Sequence, residues 1–359
     1  MKHILVTGVA GFIGFFVAQR LLRDGHRVYG IDNLNGYYDV RLKRDRLARL
    51  CSHTNLHFEK LDLADRQAVL DRFEHQHFDA VIHLAAQAGV RFSLEEPFTY
   101  CDSNLTGFLS ILEGCRHYPV EHLIFASSSS VYGANQKVPF SVADRVDCPI
   151  SLYAATKKAN ELMAHAYSHL YQIPATGLRF FTVYGPWGRP DMAYFKFADA
   201  IAQGRPIQVF NHGHMRRDFT YVDDVVEAIL RLLDRPPLAS PLATSPSPGM
   251  PLATASFSTE PLPEASTLPR VPYKIYNIGN HRPVELLYLI ELIEAAMGQS
   301  AVKVMLPMQP GDVPITYADV EDLMVDTGFQ PQTTIEDGIA QFMAWYKDRY
   351  CNYSLEQVA

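Results

Sequence analysis

Over the first 180 residues, short apolar runs that end in turns alternate with stretches of helical periodicity. His3-Ile-Leu-Val-Thr7 is apolar and β-branched, the pattern of a buried parallel strand. Helical spacing follows through Val17, Leu21 and Leu22 and closes at Gly25. Further strands are predicted at Arg27–Ile31, Leu56–Leu61, Ala80–Leu84, Glu121–Ala126 and Ala175–Phe181. Residues 41–50 read as an amphipathic helix: Leu42, Leu47 and Leu50 face inward, and Arg41, Lys43, Arg44, Arg46 and Arg49 form a solvated face. Residues 97–118 read as a long helix, and a second helix runs from Ser151 into the 160s.

Beyond Phe181 the elements are shorter. A helix over 193–204 is followed by a strand at Ile207–Phe210. Arg216–Asp224 reads as the opening of a helix, with Asp223 or Asp224 as its cap. Residues 235–272 hold many Pro, Ser, Ala and Thr and almost no charge, which reads as a flexible insertion. Order resumes at Lys274–Ile278, with helices near 284–297 and 335–349 and no internal repeat. Strands alternating with helices predict an α/β fold with a doubly wound parallel sheet. We divide it into residues 1–180, with some later segments returning to that unit, and a smaller C-terminal α/β domain over 181–350 that carries the insertion.

Composition narrows the function classes. At 359 residues, 48% hydrophobic and 20% charged, the chain is an ordinary globular protein. A net charge of −7 argues against general binding to nucleic acid or to an acidic membrane. The five cysteines (Cys51, Cys101, Cys115, Cys148, Cys351) show no CxxC or His/Cys spacing, so free thiols in a reducing compartment and no metal site are expected. The N-terminus runs directly into a strand, and no window reaches about 18 uninterrupted apolar residues. A cytoplasmic protein without a membrane span is the expectation.

The first strand leads into Gly8-Val-Ala-Gly11-Phe12-Ile13-Gly14, then a helix, a strand and Asp32. Glycines permit the tight turn and let backbone N–H groups approach a pyrophosphate at a helix N-terminus. Asp32, 24 residues after Gly8, suits a ribose diol and would repel a 2′-phosphate, so NAD is favoured over NADP. Asp62 ends the third strand and is placed to meet the adenine edge. Ala85-Ala86 after the fourth are small enough for a backbone to lie flat against a cofactor. Arg91 beside them reads equally as an anion contact or a surface cation.

Ligands of open α/β sheets bind at the carboxyl ends of the strands. There the fifth strand ends in Ser127-Ser128-Ser129-Ser130, either a substrate-facing set of hydroxyls or a plain serine-rich loop. Tyr153 and Lys157, four apart, project from one helix face. An ammonium near a phenol lowers its pKa from about 10 and makes it a usable acid or base. The spacing alone is common on amphipathic helices; its weight comes from the surrounding parts.

Taken together, Gly8-x-x-Gly11-x-x-Gly14, Asp32, Asp62, the serine stretch and Tyr153-x-x-x-Lys157 resemble the extended short-chain dehydrogenase/reductase family, in its nucleotide-sugar epimerase branch. Four stretches resemble bacterial UDP-glucuronate 4-epimerases: His83–Arg91, Ser127–Gly133, Thr182–Ala193 and Met308–Val313. The resemblance covers the chain apart from 235–272. Related 4,6-dehydratases carry an Asp-Glu pair where this chain has Ser129 and Ser130, and UDP-galactose 4-epimerases usually have Asn where Thr182 stands.

The resemblance implies a Rossmann-type dinucleotide domain and a UDP-sugar domain. Tyr153, Lys157 and Ser128 are its implied catalytic residues. NAD would be met by Gly8, Gly11, Phe12, Ile13 and Gly14, by Asp32, Asn33, Asp62 and Leu63, by Leu84, Ala85, Ala86 and Asn104, and by Tyr153 and Lys157. Arg91, Ser128, Ser129, Thr182, Arg189, Arg217 and Asp312 would meet the substrate. Arg217 and Asp312 fall near its phosphates and ribose, and residues 195–210 near the uracil. An arginine with hydroxyls suits a C6 carboxylate. The implied reaction is NAD-dependent 4-epimerisation of a UDP-uronic acid; a UDP-glucose/galactose 4-epimerase and a UDP-glucuronate decarboxylase are the rival enzymes, and a non-catalytic NAD sensor the rival from another class. A homodimer through helices near 97–118 and 154–171 is likewise implied.

Overall fold

The computed structural model describes residues 1–239, 271–309 and 312–350. Most of the insertion expected at 235–272 therefore lies outside the described residues, as do Pro310 and Gly311. The strands are β1 (His3–Thr7), β2 (Arg27–Asp32), β3 (Leu56–Lys60), β4 (Ala80–His83), β5 (His122–Ser128), β6 (Ala175–Phe180), β7 (Thr182–Tyr184), β8 (Ile207–Val209), β9 (Arg216–Tyr221), β10 (Tyr273–Ile278), β11 (Pro283–Glu285) and β12 (Lys303–Met305).

Seven of them form one sheet in the order β10-β6-β5-β4-β1-β2-β3. Every pairing in it is parallel. Alternation along each strand feeds two cores. Ile4 and Val6 of β1, Ile82 of β4 and Ile124 of β5 join the core under the helices Phe12–Arg23 and Val222–Leu233. Leu5, Val81, Leu123 and Phe125 point the other way, to Phe73 of the helix Arg66–His75 and to Phe108 and Ile111 of Gly107–His117. The sheet is thus covered on both faces, a Rossmann-type doubly wound arrangement. Its strand order reverses at β1, which opens a crevice at the carboxyl ends of β1 and β4.

The smaller sheets cap that crevice. One has the order β11-β9-β7, with β9 parallel to β7 and antiparallel to β11; the other pairs β12 with β8. The long helix expected over 97–118 is three consecutive pieces, Pro97–Tyr100, a π-helical turn Cys101–Thr106, and Gly107–His117.

Two local expectations are corrected. Arg216–Tyr221 is a strand, and the helix after it begins at Val222 with no side-chain cap. Asp224 instead accepts the Thr333 amide at 3.0 Å, so a distant loop uses the carboxylate expected to cap the helix. The basic helix, observed at Val40–Leu50, does not keep all its cations in solvent: Lys43 is 5% exposed and Arg46 0%. Arg46 Nη1 donates to the Ala10 carbonyl at 2.9 Å and Nη2 to the Gly188 carbonyl at 3.2 Å, so carbonyls inside the protein take the place of water. No helix among the described residues is long and apolar enough to cross a membrane.

Candidate active site

A cleft of roughly 990 Å³ runs over the carboxyl ends of the central strands and under the small sheets. Its first wall is the glycine turn. Gly8 has φ +73°, and a Cβ on it would sit 2.7 Å from the Ala85 amide nitrogen. A Cβ on Gly14 would sit 2.1 Å from the Gly8 carbonyl oxygen. Only glycine allows β1, the turn and the loop after β4 to close this tightly. The helix Phe12–Arg23 then starts at Gly11 with no side-chain cap and no acid in its first turn, so its positive end faces the cleft.

Asp32 closes this end. Its Oδ2 accepts the Ala10 amide at 3.1 Å and Oδ1 the Leu34 amide at 2.8 Å, which fixes the carboxylate beside the turn. Asn33 donates to Asp62 at 3.0 Å, which joins the ends of β2 and β3. A turn that tolerates no Cβ, an uncapped helix N-terminus and a held acid fit a dinucleotide. Phe12, Ile13, Leu63, Leu84, Ala85 and Ala86 complete that part of the wall.

Asn104 is placed differently from the other residues expected there. It is buried behind the wall, and its Oδ1 accepts the Gln87 amide at 2.8 Å. Its Nδ2 donates to the Gln87 carbonyl at 3.0 Å and to Thr156 Oγ1 at 3.1 Å. The π-helical turn widens the backbone here and turns Asn104 into a brace between the loop after β4 and the Tyr153 helix.

The second wall carries the groups expected to do acid–base chemistry. Ser151 caps the helix Leu152–Tyr171 by accepting the Ala154 amide at 3.1 Å, and Tyr153 and Lys157 follow on the cleft side. Facing them, β5 ends at Ser128, whose Oγ accepts the Ser130 amide at 3.1 Å. Lys157 Nζ donates to the Ala126 carbonyl at 3.0 Å, pinning helix to strand. Beneath, Ser127 donates to Glu161 at 2.7 Å, and Arg179 on β6 grips the same carboxylate at 2.8 and 2.9 Å.

The electrostatics correct one expectation. Burial raises the Tyr153 phenol above its ordinary pKa; hydrogen bonding from Ser128 and the charge of Arg189 oppose that shift without cancelling it. Lys157 is not what lowers it: its ammonium is turned to Ala126, and burial pushes its own pKa down to about 8. Desolvation disfavours the charged form of both groups.

The third wall comes from the region after β6. Thr182 opens β7 and lines the cleft with Ser128 and Ser129. Arg189 lines it too, with Nε on Asp191 Oδ1 at 3.0 Å and Nη2 on Asp191 Oδ2. Burial would raise the Asp191 carboxyl, but the Arg189 charge more than offsets it and holds it below the usual range. Tyr37 donates to Asp191 at 3.1 Å, and burial together with that acid pushes its phenol up to about 12. At the far end Arg91 approaches Asp312 at 3.6 Å and lies over the Phe210 ring at 5.4 Å. Arg217 Nη1 donates to the Arg216 carbonyl at 2.9 Å, and burial lowers its pKa.

Sequence reasoning missed Tyr37, Lys43 and Gln87, which also line the cleft. Only the Asn33-Leu-Asn35-Gly-Tyr37-Tyr38 run, polar and aromatic immediately after the acid, offered a signal.

Residues 4–241 match the profile of the NAD dependent epimerase/dehydratase family. The chain is 49% identical over 347 residues to a probable UDP-glucuronate 4-epimerase of Rhizobium meliloti (strain 1021), covering 96% of this chain and 97% of that one. Among solved structures, a UDP-glucuronic acid 4-epimerase from Bacillus cereus in complex with UDP-glucuronic acid and NAD aligns with a TM-score of 0.80 at 30% identity, over 96% of this chain and 99% of that one. A UDP-glucose 4-epimerase with UDP-glucose from Thermotoga maritima aligns with a TM-score of 0.78 at 27% identity, over 97% of this chain and 99% of that one.

Proposed function

Because the chain belongs to the NAD dependent epimerase/dehydratase family, we propose that it interconverts UDP-glucuronate and UDP-galacturonate by inverting C4 of the sugar, with NAD as resident cofactor. The observation that carries this reading is the meeting, in one cleft, of a Cβ-intolerant glycine turn, a Tyr153/Lys157/Ser128 set and the Thr182–Arg189 wall.

NAD, when bound along the glycine turn, supplies reversible two-electron acceptance at C4. Tyr153 takes the proton from the 4-hydroxyl as C4 becomes a ketone, and the Ser128 hydroxyl holds that oxygen by a hydrogen bond. Lys157, one helical turn on, holds the Tyr153 helix to the end of β5 through the Ala126 carbonyl and so keeps the phenol facing Ser128. The keto sugar turns about its diphosphate linkage and presents its other face. Tyr153 then returns the proton to O4 in the inverted configuration.

The intermediate is a β-keto acid, which loses carbon dioxide when its carboxylate stands perpendicular to the carbonyl plane and is poorly solvated. Thr182, Ser128, Ser129 and Arg189 hold the carboxylate by hydrogen bonds, charge-assisted where Arg189 donates, and disfavour that geometry. Arg217 and Asp312 meet the diphosphate and ribose, and residues 195–210 meet the uracil.

The pairing of Arg189 with Asp191 gives a second reading some support: a neutralised arginine suits a neutral hexose, as in a UDP-glucose/galactose 4-epimerase. Incubation with UDP-glucuronate and with UDP-glucose, followed by proton NMR, decides between them. UDP-galacturonate formed without added cofactor supports the uronate reading; turnover of UDP-glucose alone overturns it. A pentose product with carbon dioxide would keep Tyr153 and Lys157 and overturn the carboxylate assignment.

We also infer a cytoplasmic homodimer. Phe98 is 80% exposed, Leu162 60% and Leu170 64%, on the two helical stretches expected to meet a second copy. The four described cysteines are all free, which suits a reducing compartment.

A further inference from the structure

The helix Val40–Leu50 carries two buried cations that no step above uses, and neither pairs with a carboxylate among the described residues. Arg46 spends its guanidinium on carbonyls and on the Tyr38 hydroxyl at 2.8 Å. Lys43 is different. Its Nζ donates to two neutral acceptors on a single residue, the Asn35 carbonyl at 2.9 Å and the Asn35 side-chain oxygen at 2.7 Å. An ammonium has three N–H donors, so one donor remains. The Asp32 carboxylate acts on the charge from a distance, but no anion touches it, and a buried cation whose hydrogen-bond partners are all neutral is costly unless one does.

The surroundings identify that anion. Lys43 lines the cleft, and Arg46, three residues on along the same helix, reaches the Ala10 carbonyl inside the glycine turn at 2.9 Å. The helix face that carries Lys43 therefore lies against that turn. The turn itself, Gly8–Gly14, contains no charged residue and offers an anion only backbone dipoles. Asp32 closes the adenosine end, where its fixed carboxylate opposes a second anion. Asn35 holds the ammonium in place and is itself tied to Gln87 Oε1 at 3.3 Å. Tyr38, which also lines the cleft, lies beside the ammonium, with Nζ 4.8 Å from its ring centre.

We propose that Lys43, positioned by Asn35, contacts the diphosphate of the bound dinucleotide and supplies the full positive charge that the glycine turn lacks. The assignment rests on the NAD reading above. It also recasts a charge from an apparently solvated helix as part of the cofactor site.

The test measures NAD retained by the purified full-length protein after dialysis, and the affinities for NAD, ADP and adenosine. Lys43→Met is expected to retain less NAD and to bind NAD and ADP about 10-fold or more weakly, the loss of one hydrogen bond to a charged group. Adenosine, which lacks phosphate, is expected to bind both proteins alike. Unchanged NAD and ADP affinity overturns the proposal, and so does a loss confined to ligands that carry a 2′-phosphate. Should Lys43→Met fail to fold, Lys43→Arg is expected to bind ADP near the wild-type level and Asn35→Ala, which keeps the charge but frees it, several-fold more weakly; equal binding by Asn35→Ala overturns the proposal. If the wild-type protein binds no dinucleotide, the cofactor reading fails, independently of Lys43.

Discussion

Lys157 donates to the backbone carbonyl of Ala126 at 3.0 Å and has no carboxylate partner among the described residues, although it is almost wholly buried. With only that neutral carbonyl in contact, burial brings its pKa down from 10.5 to about 8. The ammonium is therefore present below about pH 8 and is lost as pH rises through that value. We expect kcat/KM for the sugar nucleotide to fall above pH 8, and Lys157→Arg, which does not titrate there, to flatten that limb at a lower overall rate. A wild-type profile flat to pH 10 would remove Lys157 from the acid–base step. Stability moves oppositely: between about 8 and 10.5 the unfolded chain binds the extra proton, so this group's contribution to stability rises with pH.

Tyr153 and Ser128 face each other at the end of β5, and in the proposed mechanism they serve the same oxygen unequally. Tyr153→Phe should lower turnover by about 10² to 10⁴, the span of a general acid–base contribution. Ser128→Ala should cost roughly 10-fold, one hydrogen bond of about 1.5 kcal/mol. Both variants should retain NAD at the wild-type level, measured by its release on denaturation. Unaltered initial rates in Tyr153→Phe would move the chemistry elsewhere in the cleft.

Arg189 is held by Asp191, and Asp191 by Tyr37. Arg189→Ala should cut UDP-glucuronate turnover by about 10- to 100-fold, the worth of hydrogen bonds to a charged group, and should release carbon dioxide. Asp191→Asn should unmask the arginine and tighten uronate binding relative to neutral hexose. Isotope-labelled carbon dioxide release and paired KM values for the two substrates report the result. If Arg189→Ala changed neither turnover nor products, Thr182 and the serines would be the whole carboxylate site.

The Glu161–Arg179 pair ties the Tyr153 helix to β6, with side chains 3% and 4% exposed. Arg179→Met leaves the buried Glu161 with only Lys158, 3.5 Å away, as a charge partner and should cost about 3–5 kcal/mol in urea unfolding. The double variant Glu161→Met with Arg179→Met should recover most of that loss, since an apolar pair needs no compensation. A double variant no more stable than the single one would mean that the lost hydrogen bonds, from Ser127 to Glu161 at 2.7 Å and from Arg179 to the Tyr132 hydroxyl at 3.1 Å, rather than the stranded charge, set the cost.

The parts of this molecule legible in its sequence are those where one physical demand acts alone. Doubly buried strands need unbroken apolar runs, so β1, β4 and β5 stand out from composition. The glycine turn is legible because no other residue fits at Gly8 or Gly14. Lys43 and Arg46 were misread because helical periodicity assigns charge to solvent and cannot see carbonyls folded against it. The strand Arg216–Tyr221 was hidden by its charged start, and Asp224 by a partner 109 residues away at Thr333. Asn104 lay where a cofactor contact was expected, but whether an amide faces a ligand or braces a wall depends on the backbone around it. The same holds for Arg189, whose carboxylate partner two residues on gave no sign of closing onto it.

The order in which the chain is synthesised adds a further consequence. The edge strand β10 pairs with β6, yet Phe180 and Tyr273 are separated by the capping elements of the cleft. At about 5–20 residues per second, β6 waits on the order of 5 to 20 s after leaving the ribosome for its outer neighbour. During that interval the sheet ends in an unpaired apolar edge, the kind of surface on which nascent chains aggregate. Truncations that stop near residue 180 make this state permanent. The sheet therefore reaches its final width only after most of the elements that cap the cleft have been made.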